Sequence, residues 1–121
     1  MSLTGAQIDT LLEQQFVGCG QTTNRILQVS NGFTYSWSQS AAPCNKVDPA
    51  SIKLNGMTVD PNATYRVTVN SFLADGGDNF TILTQGTNRL GGVVDIDALE
   101  AYFAANSPVA PGPQNRITVV P

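Results

Sequence analysis

A chain of 121 residues, 41% hydrophobic and 12% charged, has the composition of one folded domain and not of a disordered tract. Six Lys and Arg against nine Asp and Glu leave a net charge of −3, which offers no basic face to a nucleic acid. Histidine is absent, which excludes His-based acid–base catalysis, a Ser-His-Asp triad and imidazole metal ligation, and no apolar run approaches the roughly 20 residues that span a bilayer.

Met1-Ser2-Leu3 is too short for a signal peptide and reads as an initiation remnant, with the natural protein extending further in the N-terminal direction. Thr4-Gly5-Ala6-Gln7 fits a capping box, and Ile8, Leu11, Leu12 and Phe16 recur at helical spacing, so the pattern predicts a helix over 5–16. Gly18-Cys19-Gly20 ends it. Two strands follow, over 25–29 and 33–37, with Ser30-Asn31-Gly32 as their turn; Phe33, Tyr35 and Trp37 alternate as core or sheet-face residues. Residues 38–50 form a loop carrying Pro43 and Pro49, which Cys44 is placed to pin.

The segments 51–54 and 57–59 flank Asn55-Gly56, a type I′ hairpin signal, and a turn at 60–64 leads into a strand over 65–70. A short strand over 80–83 is expected after the glycine-rich loop that follows. Asp95 suits the N-cap of a helix over 96–105 whose Ile96, Leu99, Tyr102 and Phe103 face inward. Pro108, Pro111 and Pro113 make 107–115 an extended connector, and 116–120 is a last strand. This order predicts an α+β, two-layer domain with a mixed β-sheet packed against two main helices.

Cys19 and Cys44 form no CxxC pair. The Thr-, Asn- and Ser-rich, Lys-poor composition suits an oxidising compartment, which favours a Cys19–Cys44 disulfide; two separate buried thiols are the alternative. The sequons Asn62-Ala63-Thr64 and Asn79-Phe80-Thr81 carry little weight, because such matches are common by chance.

The segment Asn70-Ser71-Phe72-Leu73-Ala74-Asp75-Gly76-Gly77-Asp78-Asn79-Phe80 gathers a ring, two glycines and a carboxylate in one loop. Glycine lets a backbone take positive φ and lets a ligand approach closely, so such a loop can hold a planar group beside a polar anchor. By composition alone, Phe72 is more often a core ring and Asp78 a turn residue. The Asp75/Asp78 pair lacks the spacing and terminal glutamate of a calcium loop, so no metal site is expected.

Five segments in register resemble the C-terminal domain of the 5′-nucleotidases, the family that includes periplasmic UDP-sugar hydrolases and ecto-5′-nucleotidases. They are Leu3-Thr4-Gly5 with Leu11-Leu12-Glu13, Ile26-Leu27-Gln28-Val29-Ser30, Lys53-Leu54-Asn55-Gly56, Asp60-Pro61 with Thr64-Tyr65, and the loop from Asn70 to Phe80. The resemblance implies that residues 4–121 are the N-terminally truncated substrate-binding domain of a secreted, periplasmic or cell-surface enzyme. A divalent metal pair and the catalytic residues would then belong to an N-terminal metallophosphoesterase domain of the same polypeptide, with no catalytic residue and no cofactor in this chain. It further implies that Phe72 stacks on a nucleoside or nucleotide base and Asp78 accepts its hydrogen bonds. Gly76 and Gly77 would let the backbone approach, and Asn31 takes a position where the family usually has glycine. Other contacts of the family's site fall upstream of Leu3, so the chain would hold half a nucleoside clamp. A stand-alone extracellular binding or adhesion module sharing the fold is the other reading.

Overall fold

The first helix is set up by Thr4. Its Oγ1 accepts from the Gln7 N–H at 3.2 Å, while Gln7 Oε1 accepts from the Thr4 N–H at 2.8 Å. This reciprocal cap starts helix α1, Gly5–Glu13, in a computed structural model that describes all 121 residues. Gly5 is required here, because a Cβ would run into the Asp60 carbonyl and approach Val59 Cγ1 to 2.8 Å. The helix stops three residues short of the expected end: the Gln15 and Phe16 N–H groups bond to Leu12 and Glu13 in tightened turns, which swing Phe16 into the core.

Residues 1–3 are part of the fold. Strand β1, Ser2–Thr4, pairs antiparallel with β5, Thr64–Arg66, and Leu3 is buried. A second, four-stranded sheet has the order β4-β3-β2-β6, formed by β2 Phe33–Ser38, β3 Lys53–Leu54, β4 Met57–Thr58 and β6 Ile117–Val120. β2 and β6 run parallel and the other pairs antiparallel, so this sheet is mixed and the fold α+β, as the element order implied. At the β3–β4 hairpin both Asn55 (φ 51°) and Gly56 (φ 80°) have positive φ, the geometry of a type I′ turn.

Ile8, Leu11 and Leu12 from α1 and Phe16 from the turn after it meet Tyr35, Ile52, Val59, Phe80 and Leu83 in one core. Phe16 packs against Trp37 with ring centroids 4.7 Å apart and the planes tilted by 45°. Tyr35 is buried, which pushes its hydroxyl above the ordinary range, while the hydrogen bond from Gln15 Nε2 acts in the opposite direction. Cys19 and Cys44 are joined in a disulfide with their Cα atoms 5.1 Å apart, tying the turn after α1 to the loop before Val47.

Four sequence expectations are corrected. Residues 25–29 are extended but form no ladder, because Arg25 and Leu27 give their N–H groups to Gln15 instead of to a strand. The strand expected over 65–70 is a strand only over Thr64–Arg66, with Val67 alone continuing the pairing, through its two bonds to Met1. The apolar run 80–83 is not a strand: Thr81–Gln85 forms a 3₁₀ turn, with the Ile82 N–H donating to Gln14 Oε1 at 3.2 Å. The late helix, α3, spans Asp95–Asn106, but its expected inward residues Ile96, Leu99, Tyr102 and Phe103 stand 44–53% exposed, and Asp95 lies inside the helix with Val94 as its N-cap.

Candidate functional site

The glycine-rich loop is built from both ends. Asn70 closes the extended run after β5 and caps helix α2, Ser71–Ala74, its Oδ1 accepting from the Leu73 N–H at 2.9 Å. Ala74 is buried and Leu73 packs against the core, so α2 is anchored by one face. Phe72 falls on the other face and is 57% exposed. A ring free to meet solvent on a helix whose neighbours are anchored is a surface platform, not core packing.

The backbone after α2 explains its glycines. Gly76 has φ 84°, in the left-handed region, and a Cβ there would lie 3.0 Å from Thr84 Cγ2. Gly77 has no such φ; its need is space, since a Cβ would sit 2.6 Å from both Phe72 Cε1 and the Phe72 carbonyl oxygen. The ring of Phe72 therefore lies directly on the Gly77 backbone, which limits its freedom. Asp78 (φ 52°) and Asn79 (φ 60°) follow in left-handed conformations, and Phe80 plunges into the core.

This double left-handed turn is held from outside. The Asp78 carbonyl accepts from Gln21 Nε2 at 2.6 Å, and Asn79 Nδ2 donates to the Gly20 carbonyl at 3.2 Å. Gln21 Oε1 in turn accepts from Arg25 Nε at 3.1 Å, which leaves Arg25 Nη1 3.9 Å from the Asp78 carboxylate. Both partners of that pair are close to half exposed, so its energy is modest and its effect is orientation. On the outer side, Arg89 Nη1 donates to Asp75 Oδ1 at 2.7 Å.

Phe72, Gly76, Gly77 and Asp78 thus come together in one turn. Asn31 does not join them through any hydrogen bond; it lies in the turn before β2, where the Gly32 carbonyl accepts from the Asn55 N–H. Its neighbour Ser30 and the Phe72 neighbour Leu73 do line one common cavity of about 700 Å³. Arg25 and Gln21, which order the Asp78 turn, were not legible as site residues, since 53 residues or more separate them from it and no motif links the two. Nowhere do three His, Cys, Asp or Glu side chains gather as metal ligands. The arrangement sets an exposed π-face close to a carboxylate and to backbone held in a double left-handed turn.

Residues 1–85 match the family described as 5′-nucleotidase, C-terminal domain. A 5′-nucleotidase-related protein of Glossina morsitans morsitans is 30% identical over 125 residues, covering 98% of this chain and 22% of that protein. Snake venom 5′-nucleotidase of Macrovipera lebetinus is 27% identical over 125 residues, covering 98% of this chain and 30% of that protein. Among solved structures, a 5′-nucleotidase precursor from Thermus thermophilus superposes with a TM-score of 0.81 at 31% identity, over 99% of this chain and 24% of the other. The chain therefore spans between a fifth and a third of the length of these relatives.

Proposed function

We propose, from the premise that this chain belongs to the family of 5′-nucleotidase C-terminal domains, that it is the nucleoside-recognising domain of a secreted 5′-nucleotidase-like phosphoesterase. The observation that carries this reading is the Phe72 ring, exposed on α2, backed by Gly77 and adjacent to Asp78. A purine or pyrimidine stacks on that ring, and the Asp78 carboxylate accepts hydrogen bonds from ribose hydroxyls or a base amine. Gly76 and Gly77 shape the turn that holds the ring and the carboxylate, and Asn31, in the turn before β2, is assigned a supporting contact to the same ligand.

Hydrolysis belongs to another part of the polypeptide. A divalent metal pair in a metallophosphoesterase domain N-terminal to residues 4–121 would activate the attacking water, and no residue of this chain is assigned to that step. The disulfide and the likeness to a venom protein support an extracellular, periplasmic or cell-surface setting.

The test is Phe72→Ala in the intact polypeptide. Base stacking of about 1–3 kcal/mol corresponds to a fall in kcat/KM for AMP of roughly 5- to 150-fold. An unchanged kcat/KM overturns the stacking role.

A further inference from the structure

Two segments of this chain have the form of β-strands with one edge that pairs with no strand. In 65–70 burial alternates residue by residue, with Tyr65, Val67 and Val69 half-buried and Arg66, Thr68 and Asn70 exposed. In 27–30 it alternates in the same way, with Leu27 and Val29 turned toward the core. Such alternation is the period of a strand in a sheet with one covered face.

The peptide groups alternate as well. On the first segment, Val67 exchanges both its bonds with Met1, on the side of β1, while the Thr68 N–H and C=O, which point the other way, have no partner. On the second, the odd positions are satisfied: Arg25 and Leu27 donate to Gln15, and the Val29 carbonyl accepts from Arg116 Nη1. The even positions Ile26 and Gln28 have neither donor nor acceptor bonded. Both free edges belong to segments that wall the same 700 Å³ cavity, whose base is formed by Ile8, Leu11 and Leu12 of α1. Unpaired strand edges beside an apolar void forgo backbone hydrogen bonds and dispersion contacts together.

We propose that this cavity is a slot for one extended segment, supplied by the part of the polypeptide outside residues 1–121. Resting on the reading of residues 4–121 as a truncated domain, the inference adds where the completing segment sits and how it bonds. Inserted between Gln28 and Thr68, it receives backbone hydrogen bonds on both sides and ties the segment 26–29, which has no ladder of its own, to the β1–β5 sheet. Its side chains alternate: apolar toward Leu11 and Leu12, uncharged polar outward beside Gln28 and Thr68. The similar proteins are several times longer than this chain, so a covalently linked segment is available at high effective concentration. A second copy is a poorer occupant, because its own unpaired edges are the walls of its own slot and it has no free strand to insert.

Hydrogen exchange, read by mass spectrometry on fragments covering 26–30 and 66–70, tests this in the intact polypeptide and in the 121-residue chain. The amides of Ile26, Gln28 and Thr68 should exchange at least about 100-fold more slowly in the intact polypeptide. Fast exchange of these amides in the intact polypeptide overturns the proposal, as does protection of the 121-residue chain that rises with its concentration, which would signal pairing between copies. The two readings separate cleanly. Protected amides with an inert Phe72→Ala substitution leave the slot standing and remove the nucleoside role; the reverse pattern removes the slot alone.

Discussion

At the scale of single residues, three long polar side chains of the α1 terminus and the turn after it substitute for missing secondary structure. Gln15 is fully buried, yet its amide donates to the Leu12 carbonyl and the Tyr35 hydroxyl and accepts from the Leu27 N–H. Gln21 clasps the Asp78 turn. Glu13 is buried and accepts from the N–H groups of Lys46 and Val47 at 3.0 and 2.7 Å, which fixes the loop that leads away from the disulfide. A charge-assisted bond stabilises by about 1.5–3 kcal/mol, and removing the acceptor leaves a buried donor on Val47 and a part-buried one on Lys46 unpaired. Glu13→Ala should therefore lower unfolding free energy by about 3 kcal/mol in urea titration, and a loss under about 1 kcal/mol would refute this account. None of the three was singled out from the sequence, because a glutamine or glutamate at the end of an amphipathic helix looks like a solvated residue until its partners are known.

At the scale of elements, most of what depended on neighbours in sequence was readable, the Asp95 cap being the exception. The Thr4 cap, the Asn55-Gly56 turn and the positive φ of Gly76 follow from local chemistry, and each is present. Elements that depend on a distant partner were misjudged: residues 25–29 have strand-like composition, but the polar groups of Gln15 reach them first. The Cys19–Cys44 bond is the strongest element-scale constraint, with a sequence separation of 25. Closing a loop of that size removes unfolded-state entropy worth about 3.5 kcal/mol. Reduction, or a Cys19→Ser/Cys44→Ser double substitution, should lower stability by about 2–4 kcal/mol in urea titration, and equal midpoints with and without reductant would contradict it.

At the scale of the whole molecule, apolar surface is left without cover. Ile96, Leu99, Tyr102 and Phe103 on α3, with Leu90, Val93 and Val94 before it, are all more than 40% exposed. The proposed nucleoside site is similarly one-sided, with Phe72 as its ring and Asp78 as its carboxylate. Such a half-site should bind adenosine with a Kd of about 1 mM or weaker by calorimetry of the 121-residue chain; micromolar binding would show that the loop suffices alone. The sequence by itself determined the α+β class, the Thr4 cap, the Asn55-Gly56 turn and the absence of histidine, because these follow from composition and from interactions a few residues long. Only the tertiary structure decided that Arg25 and Gln21 order the Asp78 turn, that Phe72 lies on Gly77 with its face open, and that the apolar face of α3 stays uncovered. Those outcomes depend on which groups meet across the fold, and a polar side chain or an apolar stripe does not carry the identity of its partner.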